Sequence, residues 1–175
     1  MRKVWRVFPA VLLLMILLTG CGKNPYKEGM EQLEAGQYKE AEVNFKKAVE
    51  KEKNLADSCR GLGIACFEQK DYEGARKALK QALKEGTEKT GTIYNLLGAC
   101  ELELGNYEEA LSCYEKGLEA EGNSKALKQE MEYNAIVAYE GMEDWEQAKE
   151  RLAKYTDKYP KDEEAKKEAE FLETR

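Results

Sequence analysis

The chain contains no histidine, which removes the commonest general base, the Ser–His and Cys–His nucleophile pairs and the commonest metal ligand. It also lacks a glycine-rich loop of the kind that holds phosphate groups, and no residues have metal-ligand spacing. Carboxylates are abundant, but no nucleophile or cofactor motif accompanies them, so we interpret them as solvating surface groups. The sequence therefore predicts a protein that is not an enzyme and has no cofactor, metal or small-molecule substrate.

Proline is scarce and no β-rich run is present, so the composition predicts an all-α protein. After the N-terminal segment only Pro25 and Pro160 occur, and both lie where helices are predicted to begin or stop. Apolar residues make up 42% of the chain, which favours a packed core over disorder.

An excess of basic residues is also missing, because 34 acidic residues stand against 28 basic ones and the net charge is −6. This balance argues against nucleic acid as a partner and against electrostatic binding to anionic lipid. We interpret most of the charges as the solvated surface of exposed helices.

The N-terminal segment has the pattern of a secretory signal. Arg2, Lys3 and Arg6 precede an apolar run that ends near Leu18 and is too short to span a bilayer comfortably. The run ends in Leu-Thr-Gly-Cys at 18–21, which resembles a bacterial lipobox. That resemblance implies a signal peptide over 1–20, cleavage before Cys21 and transfer of a diacylglyceryl group to its thiol; an uncleaved N-terminal anchor is the alternative.

Either alternative attaches the protein to a membrane on its extracytoplasmic face; with the lipobox, residues 21–25 are expected to form a lipidated tether. Two acyl chains anchor stably, because each buried methylene contributes about 0.8 kcal/mol. The predicted location is a cell membrane; if the cell has two, Gly22 after the cysteine would direct the lipoprotein to the outer one.

Five columns of residues recur every 34 to 38 positions in the rest of the chain. An aromatic residue is followed three positions later by alanine, at Tyr38 and Ala41, Tyr72 and Ala75, Tyr107 and Ala110, and Trp145 and Ala148. A glycine column holds Gly29, Gly63 and Gly98, and two further columns hold a large apolar and a mostly small residue. This period, with small residues where helices must approach closely, is typical of a stacked helix-turn-helix repeat.

The third repeat carries the closest match to a known family. Its Leu97, Gly98, Tyr107, Ala110 and Tyr114 resemble the pattern of the tetratricopeptide repeat (TPR). The resemblance implies a right-handed α-solenoid over 26–162, built from four repeats at 22–55, 56–89, 91–124 and 129–162. A C-terminal capping helix is expected over 163–175.

The fourth repeat departs from the pattern, since Ala135 and Ile136 replace the Leu-Gly pair and four residues, 125–128, precede it. We expect its helix pair to pack at a different angle. In the capping helix, Phe171 and Leu172 either cover the last repeat or dock a partner, and we favour covering.

Four cysteines follow Cys21, an even number in an exported protein. Their spacing leaves open a Cys66–Cys100 disulfide, a Cys100–Cys113 disulfide, or four small buried thiols, Cys59 included. We favour the buried thiols.

The TPR resemblance implies that the first helices of the repeats line a peptide-binding groove. Its positions here are Tyr26, Met30, Leu33, Arg60, Ile64, Phe67, Asn95, Ala99, Leu102, Tyr133, Val137 and Glu140. This row is mostly apolar. The Lys and Asn constellation by which some TPR domains clamp a peptide carboxylate is missing, because its positions here hold Tyr26, Met30, Gly61, Thr92 and Leu96. A packed core explains the same helical spacing equally well, so the sequence leaves groove and core open.

An acidic row, Glu34, Glu68 and Glu103, recurs beside these positions. Acids next to an apolar stripe suit a protein or peptide partner with a basic amphipathic segment. We therefore predict a membrane-anchored scaffold for an envelope, secretion or cell-wall assembly; the alternative is a tethered chaperone that binds exported polypeptides.

Overall fold

In the computed structural model, residues 24–174 are described and form nine helices with no strand among them. The helices are α1 (Pro25–Glu34), α2 (Tyr38–Glu50), α3 (Leu55–Glu68), α4 (Tyr72–Lys84), α5 (Gly91–Glu103), α6 (Tyr107–Glu119), α7 (Lys125–Gly141), α8 (Trp145–Lys158) and α9 (Glu163–Leu172). The predicted signal peptide, Cys21 and tether residues 22–23 lie outside the described residues.

The helices are arranged as an α-solenoid of hairpins. Each helix packs against the next one in the chain, and α1 also contacts α3, α3 contacts α5, and α5 contacts α7. The first helices of the repeats therefore form one continuous layer, which confirms the all-α solenoid predicted from the repeat period.

Side-chain caps define several helix starts. The side-chain oxygens of Asp71 and Asp144 accept hydrogen bonds from the backbone N–H groups of Gly74 and Gln147, at the N-termini of α4 and α8. These bonds satisfy amides that the helix itself leaves without a partner. Asn106 occupies the equivalent position before α6 but does not cap it.

The three mid-helix glycines are required by close contacts between the two helices of a repeat. A Cβ atom at Gly29 would approach the Phe45 ring to 3.0 Å, and one at Gly63 would lie 2.6 Å from Leu79 Cγ. The third repeat has the same arrangement. The glycine column and the large apolar column are thus two sides of one contact, repeated along the solenoid.

The fourth repeat is built differently from the first three. Ile136 and Leu152, two large side chains, occupy the positions of the glycine and its partner, and both are buried. Helices α7 and α8 contact each other less extensively than α3 and α4 do. The four residues that precede the predicted repeat form the first turn of α7, which begins at Lys125 after the cap Ser124.

The terminal helix α9 covers the last repeat. Ala165 and Leu172 are buried in one cluster with Leu152 and Tyr155, while the neighbouring Phe171 remains 48% exposed. Leu172 is therefore a core residue, as expected of a helix that closes a repeat array.

Candidate protein-binding surface

The predicted groove residues lie on α1, α3, α5 and α7. We call the side of these four helices that carries them the first-helix surface. The residues of this surface differ in how deeply they are buried and in whether they contact the core clusters.

On α1, the three predicted residues take part in the first core cluster. Tyr26, Met30 and Leu33 are partly buried and pack around the fully buried Phe45. The ring centroids of Tyr26 and Phe45 lie 6.4 Å apart. These side chains therefore support the fold while leaving part of their surface accessible.

On α3, the predicted residues have three different environments. Arg60 is paired with Asp57 at 3.4 Å. Phe67 packs edge-on against Tyr72, with 5.7 Å between ring centroids, and belongs to the surroundings of a core cluster. Ile64 is partly buried but belongs to none of the clusters formed by the described residues.

On α5, the exposed area is small. Asn95 is only 8% exposed, and its Nδ2 donates a hydrogen bond to Glu130 Oε1 on α7 at 2.8 Å. The Oδ1 atom of Asn95 is buried without a hydrogen-bond partner among the described residues. Ala99 is partly buried, and Leu102 packs against the cluster around Tyr114.

On α7, Tyr133 packs against Tyr155, with 5.5 Å between ring centroids. Val137 resembles Ile64, since it is partly buried and outside the clusters. Burial, and then the nearby Glu168 carboxylate, raise the pKa of Glu140. Its Oε1 is buried with no hydrogen-bond partner among residues 24–174.

The acidic row occupies a distinctive place, because Glu34, Glu68 and Glu103 are the last residues of α1, α3 and α5. All three are exposed, and none forms an ion pair with another described residue. A helix C-terminus carries partial negative charge, so an acid there is unfavourable.

The second helices of the repeats differ in one respect, although α2 and α6 also end in glutamates, Glu50 and Glu119. Each has a lysine in its last turn, at Lys47, Lys84, Lys116 and Lys158, whereas the last turns of α1, α3, α5 and α7 contain no basic residue. The C-terminal ends of the first helices thus form a negative edge along the solenoid, to which helix dipoles and glutamates both contribute.

Sequence reasoning missed one buried carboxylate. Glu101 is 1% exposed and accepts hydrogen bonds from Lys80 Nζ at 2.6 Å, Asn106 Nδ2 at 2.8 Å and Arg76 Nη1 at 3.4 Å. Burial opposes its ionisation, but the bonds from Lys80 and Asn106 outweigh that cost and lower the pKa of Glu101. The sequence contained one indication of this burial, because Glu101 is a single acidic residue within the apolar part of α5.

The four described cysteines are all unpaired thiols. Cys59, Cys66 and Cys100 are buried, and Cys113 is partly buried. Burial raises the pKa of Cys66 to about 11 and that of Cys100 to about 12, so both remain protonated at neutral pH. They contribute to the core as small apolar groups.

Residues 24–174 also show what this part of the chain does not contain. No helix in this part of the chain combines the length and the apolar character that crossing a bilayer requires. Within the same residues, no three carboxylate or thiol groups are grouped so that they could hold a metal ion.

Comparison with known families agrees with this architecture. Three family models, each described as tetratricopeptide repeat, match residues 26–90, 62–121 and 131–162. Together they span all four repeats, and the chain belongs to the tetratricopeptide-repeat family. The tetratricopeptide-repeat fold suggests a scaffold for protein–protein interaction. No curated protein matches the chain.

Solved structures with the same fold include MamA from Desulfovibrio magneticus RS-1, residues 41 to the end, which is 24% identical with a TM-score of 0.72 over 86% of this chain and 82% of that one. A MamA RS-1 double mutant gives 23% identity and a TM-score of 0.73 over the same shares. TTC0263, a TPR protein of Thermus thermophilus, is 19% identical with a TM-score of 0.58 over 90% of this chain and 86% of its own. At these identities the likeness concerns the fold alone.

Proposed function

We propose that this protein is a lipid-anchored scaffold on the extracytoplasmic face of a membrane, where its first-helix surface holds a basic segment of a protein partner. The partner belongs to an envelope, secretion or cell-wall assembly. The observation that carries the proposal is the negative edge formed by the C-terminal ends of the first helices.

This edge has no evident structural purpose. Placing Glu34, Glu68 and Glu103 at helix C-termini costs about 0.3–1 kcal/mol each by unfavourable interaction with the helix dipole. In the second helices a lysine in the last turn offsets that cost, also where α2 and α6 end in Glu50 and Glu119. A bound cationic segment would offset the cost, because lysine or arginine side chains would lie against both the carboxylates and the last carbonyl groups.

Two apolar side chains next to this edge add to the argument. Ile64 and Val137 stand on α3 and α7, are partly buried, and belong to no core cluster of the described residues. Apolar side chains beside acidic ones suit an amphipathic segment, whose apolar residues contact the former and whose basic residues contact the latter.

The anchoring part of the proposal rests on the N-terminal sequence. If Cys21 is the lipidated residue, only 22–24 separate it from α1, which begins at Pro25. At about 3.5 Å per residue the solenoid then begins within roughly 15 Å of the lipid headgroups. A partner held on the first-helix surface would be kept close to that membrane.

In-cell photo-crosslinking tests the binding surface. A probe at Ile64 is preferable to one at Phe67, because Phe67 packs against Tyr72. The matched control is a probe at Lys77, an exposed residue of the second helix α4. We expect one discrete adduct from position 64 and none from 77.

Two further outcomes sharpen the crosslinking test. Val137→Asp should abolish the adduct formed from position 64 while the far-ultraviolet circular dichroism stays unchanged, because Val137 lies outside the core clusters. Adducts with many exported proteins would favour the tethered chaperone. An adduct from position 77 alone would contradict binding on the first-helix surface.

Cell fractionation tests the anchor. Cys21→Ser should release the protein from the membrane fraction, since the thiol that would carry the lipid is gone. Cys113→Ser, which leaves Cys21 intact, is the control and should stay membrane-bound. Membrane retention of both variants would contradict the lipid anchor and favour an uncleaved N-terminal anchor.

A further inference from the structure

A cleft of about 340 Å³ lies between α6, α7 and α8, and none of the predicted groove residues lines it. Its floor is formed by Ala135 and Ile136, which are nearly buried, and its α6 wall by the partly buried Leu118. The side chains that line it from α8 include three basic ones, Arg151, Lys154 and Lys158. We call this site the basic cleft; its volume is in the range of natural ligand pockets.

Positive charge prevails in the basic cleft. Its three cations are three and four residues apart in the sequence, so they share one face of α8. The lining contains a single carboxylate, that of Glu132. The chain as a whole has a net charge of −6, so the charge of this cleft is opposite in sign to that of the protein and of the negative edge.

Arg151 is not required by the packing of the repeats. It follows the aromatic residue of its repeat, Trp145, by six positions. The same position in the first three repeats holds uncharged side chains that are buried or partly buried, namely Asn44, Ala78 and Cys113. A hairpin of this protein can therefore close with a neutral residue there, and the arginine is particular to the fourth repeat.

The guanidinium group of Arg151 is oriented by an aromatic ring and keeps its donors available. Its Cζ atom lies 4.8 Å from the centroid of the Tyr139 ring. Arg151 forms no ion pair with another residue among 24–174. A guanidinium group held in this way can bind a carboxylate through two parallel N–H···O bonds.

The two lysines extend the positive lining along α8. Lys158 binds Glu132 at 2.6 Å, and Lys154 binds Glu150, one turn earlier on the same helix. Both lysine side chains are more than half exposed, so these ion pairs contribute little and a carboxylate of a ligand can replace them. Each ammonium group also has three N–H donors, more than one carboxylate oxygen needs.

We propose that the basic cleft binds an acidic segment of a protein partner. Glutamate or aspartate side chains of the segment pair with Arg151, Lys154 and Lys158, and an apolar neighbour packs against Leu118. The three cations extend over about 10 Å of α8, a length that several carboxylates of one segment match and a single lipid phosphate does not. This inference goes beyond the proposed function, because it gives the scaffold a second surface, of opposite charge to the first-helix surface.

The test uses a synthetic peptide of about fourteen residues with glutamates spaced three and four apart, labelled with an uncharged dye. Its counterpart has glutamine at each of those positions. Fluorescence anisotropy measures the binding of each peptide to full-length protein in micelles of an uncharged detergent. We expect saturable binding of the glutamate peptide and at least about tenfold lower affinity for the glutamine peptide, because the charge-assisted bonds are lost.

Matched variants locate the site. Arg151→Gln should weaken binding of the glutamate peptide about fivefold, and Lys154→Gln about threefold. Lys154 is 71% exposed, so its substitution tests the cleft without disturbing the core. Lys167→Gln makes the same change of charge at an exposed position of α9 outside the cleft and should leave the affinity unchanged. Unchanged thermal unfolding of each variant will show that the fold is intact.

Three results would overturn the assignment. Equal affinity for the two peptides would mean that the cleft does not select an anion. Equal loss in Arg151→Gln and Lys167→Gln would mean diffuse attraction between opposite charges. Binding to phosphatidylglycerol vesicles that Arg151→Gln weakens, without peptide binding, would assign the cleft to a lipid surface. The crosslink from position 64 reports on the first-helix surface, so its absence would reject the proposed function and leave this cleft standing, whereas absent peptide binding would do the reverse.

Discussion

The ring of Tyr114 lies directly over Gly98, so that a Cβ atom at position 98 would stand 2.5 Å from Tyr114 Cε1. Glycine in mid-helix costs about 1 kcal/mol relative to alanine, yet the contact of α5 with α6 requires it. The same relation joins Gly63 to Leu79 and Gly29 to Phe45. It recurs because each of these three hairpins closes in the same way.

Replacing Gly98 by alanine should therefore destabilise the protein in spite of the better helix propensity. Displacing the fully buried Tyr114 ring is expected to cost about 1–3 kcal/mol in the free energy of unfolding, as other overpacked cores do. Urea unfolding measures the effect. Thr92→Ala, at an exposed position on the same helix, is the control and should be neutral within about 0.5 kcal/mol. A stability gain in Gly98→Ala would contradict the close contact.

Glu101→Gln should lower the free energy of unfolding by about 1–3 kcal/mol, because charged hydrogen bonds from Lys80, Arg76 and Asn106 converge on the buried carboxylate. The lower part of that range is expected, since the Lys80 side chain is 55% exposed. Glu103→Gln removes an exposed acid from the C-terminus of the same helix and should have the opposite effect, a gain of about 0.3–1 kcal/mol. Equal effects of the two substitutions would argue against the network.

The same carboxylate predicts a pH dependence. The pKa of Glu101 in the folded protein is below its ordinary value of 4.5, so its ionisation stabilises the fold above that value. This contribution is lost as the pH falls from about 4.5 through the lower folded pKa. Urea midpoints measured between about pH 7 and pH 3 should fall more steeply for the natural protein than for Glu101→Gln. Parallel curves would show that Glu101 titrates normally.

Lys70→Gly should stabilise the protein. Lys70 has φ of 62° in the turn between α3 and α4, a left-handed conformation that glycine adopts without strain, and Gly105 fills the equivalent position of the third repeat with φ of 75°. The expected gain is about 1 kcal/mol in the free energy of unfolding. The reverse change, Gly105→Lys, should lose a similar amount. Thermal unfolding of both variants measures this, and a change of the same sign in both would refute it.

Leu172→Ala should cost about 2–4 kcal/mol, since Leu172 is 1% exposed in the cluster that α9 shares with α8. Glu170→Ala, at an exposed position on the same helix, is the control and should be close to neutral. Proteolysis near the C-terminus should also become faster in Leu172→Ala, because the cap opens more often. Unchanged stability would mean that α9 does not cover the last repeat.

Much of the fold could be predicted because it rests on local spacing. The glycine column and the large apolar column lie at fixed offsets within a hairpin, and the structure brings them into contact. Asp71 and Asp144 likewise cap helices at a fixed position in the turn. Asn106 is a residue whose role its local position does not predict. It occupies a capping position, but its side chain binds Glu101, a partner with more charge than a helix amide.

The candidate site was less predictable, because helical spacing does not distinguish a groove from a core. Phe67 and Ile64 are three residues apart on one helix, yet Phe67 packs against Tyr72 while Ile64 belongs to no core cluster of the described residues. The two residues differ because the Tyr72 ring at the start of α4 contacts Phe67. The binding roles of the groove residues stay predictions.

By itself, the sequence determined the repeat period, the helix pairs and the small residues that let them close, since each follows from interactions between residues close together in the chain. Only the tertiary structure decided where charges are buried and where a cavity forms. Glu101 meets Lys80 from another helix, Asn95 on α5 meets Glu130 on α7, and the basic cleft lies between α6, α7 and α8. Such environments combine side chains from different helices, so the spacing of residues within one repeat gives no signal of them.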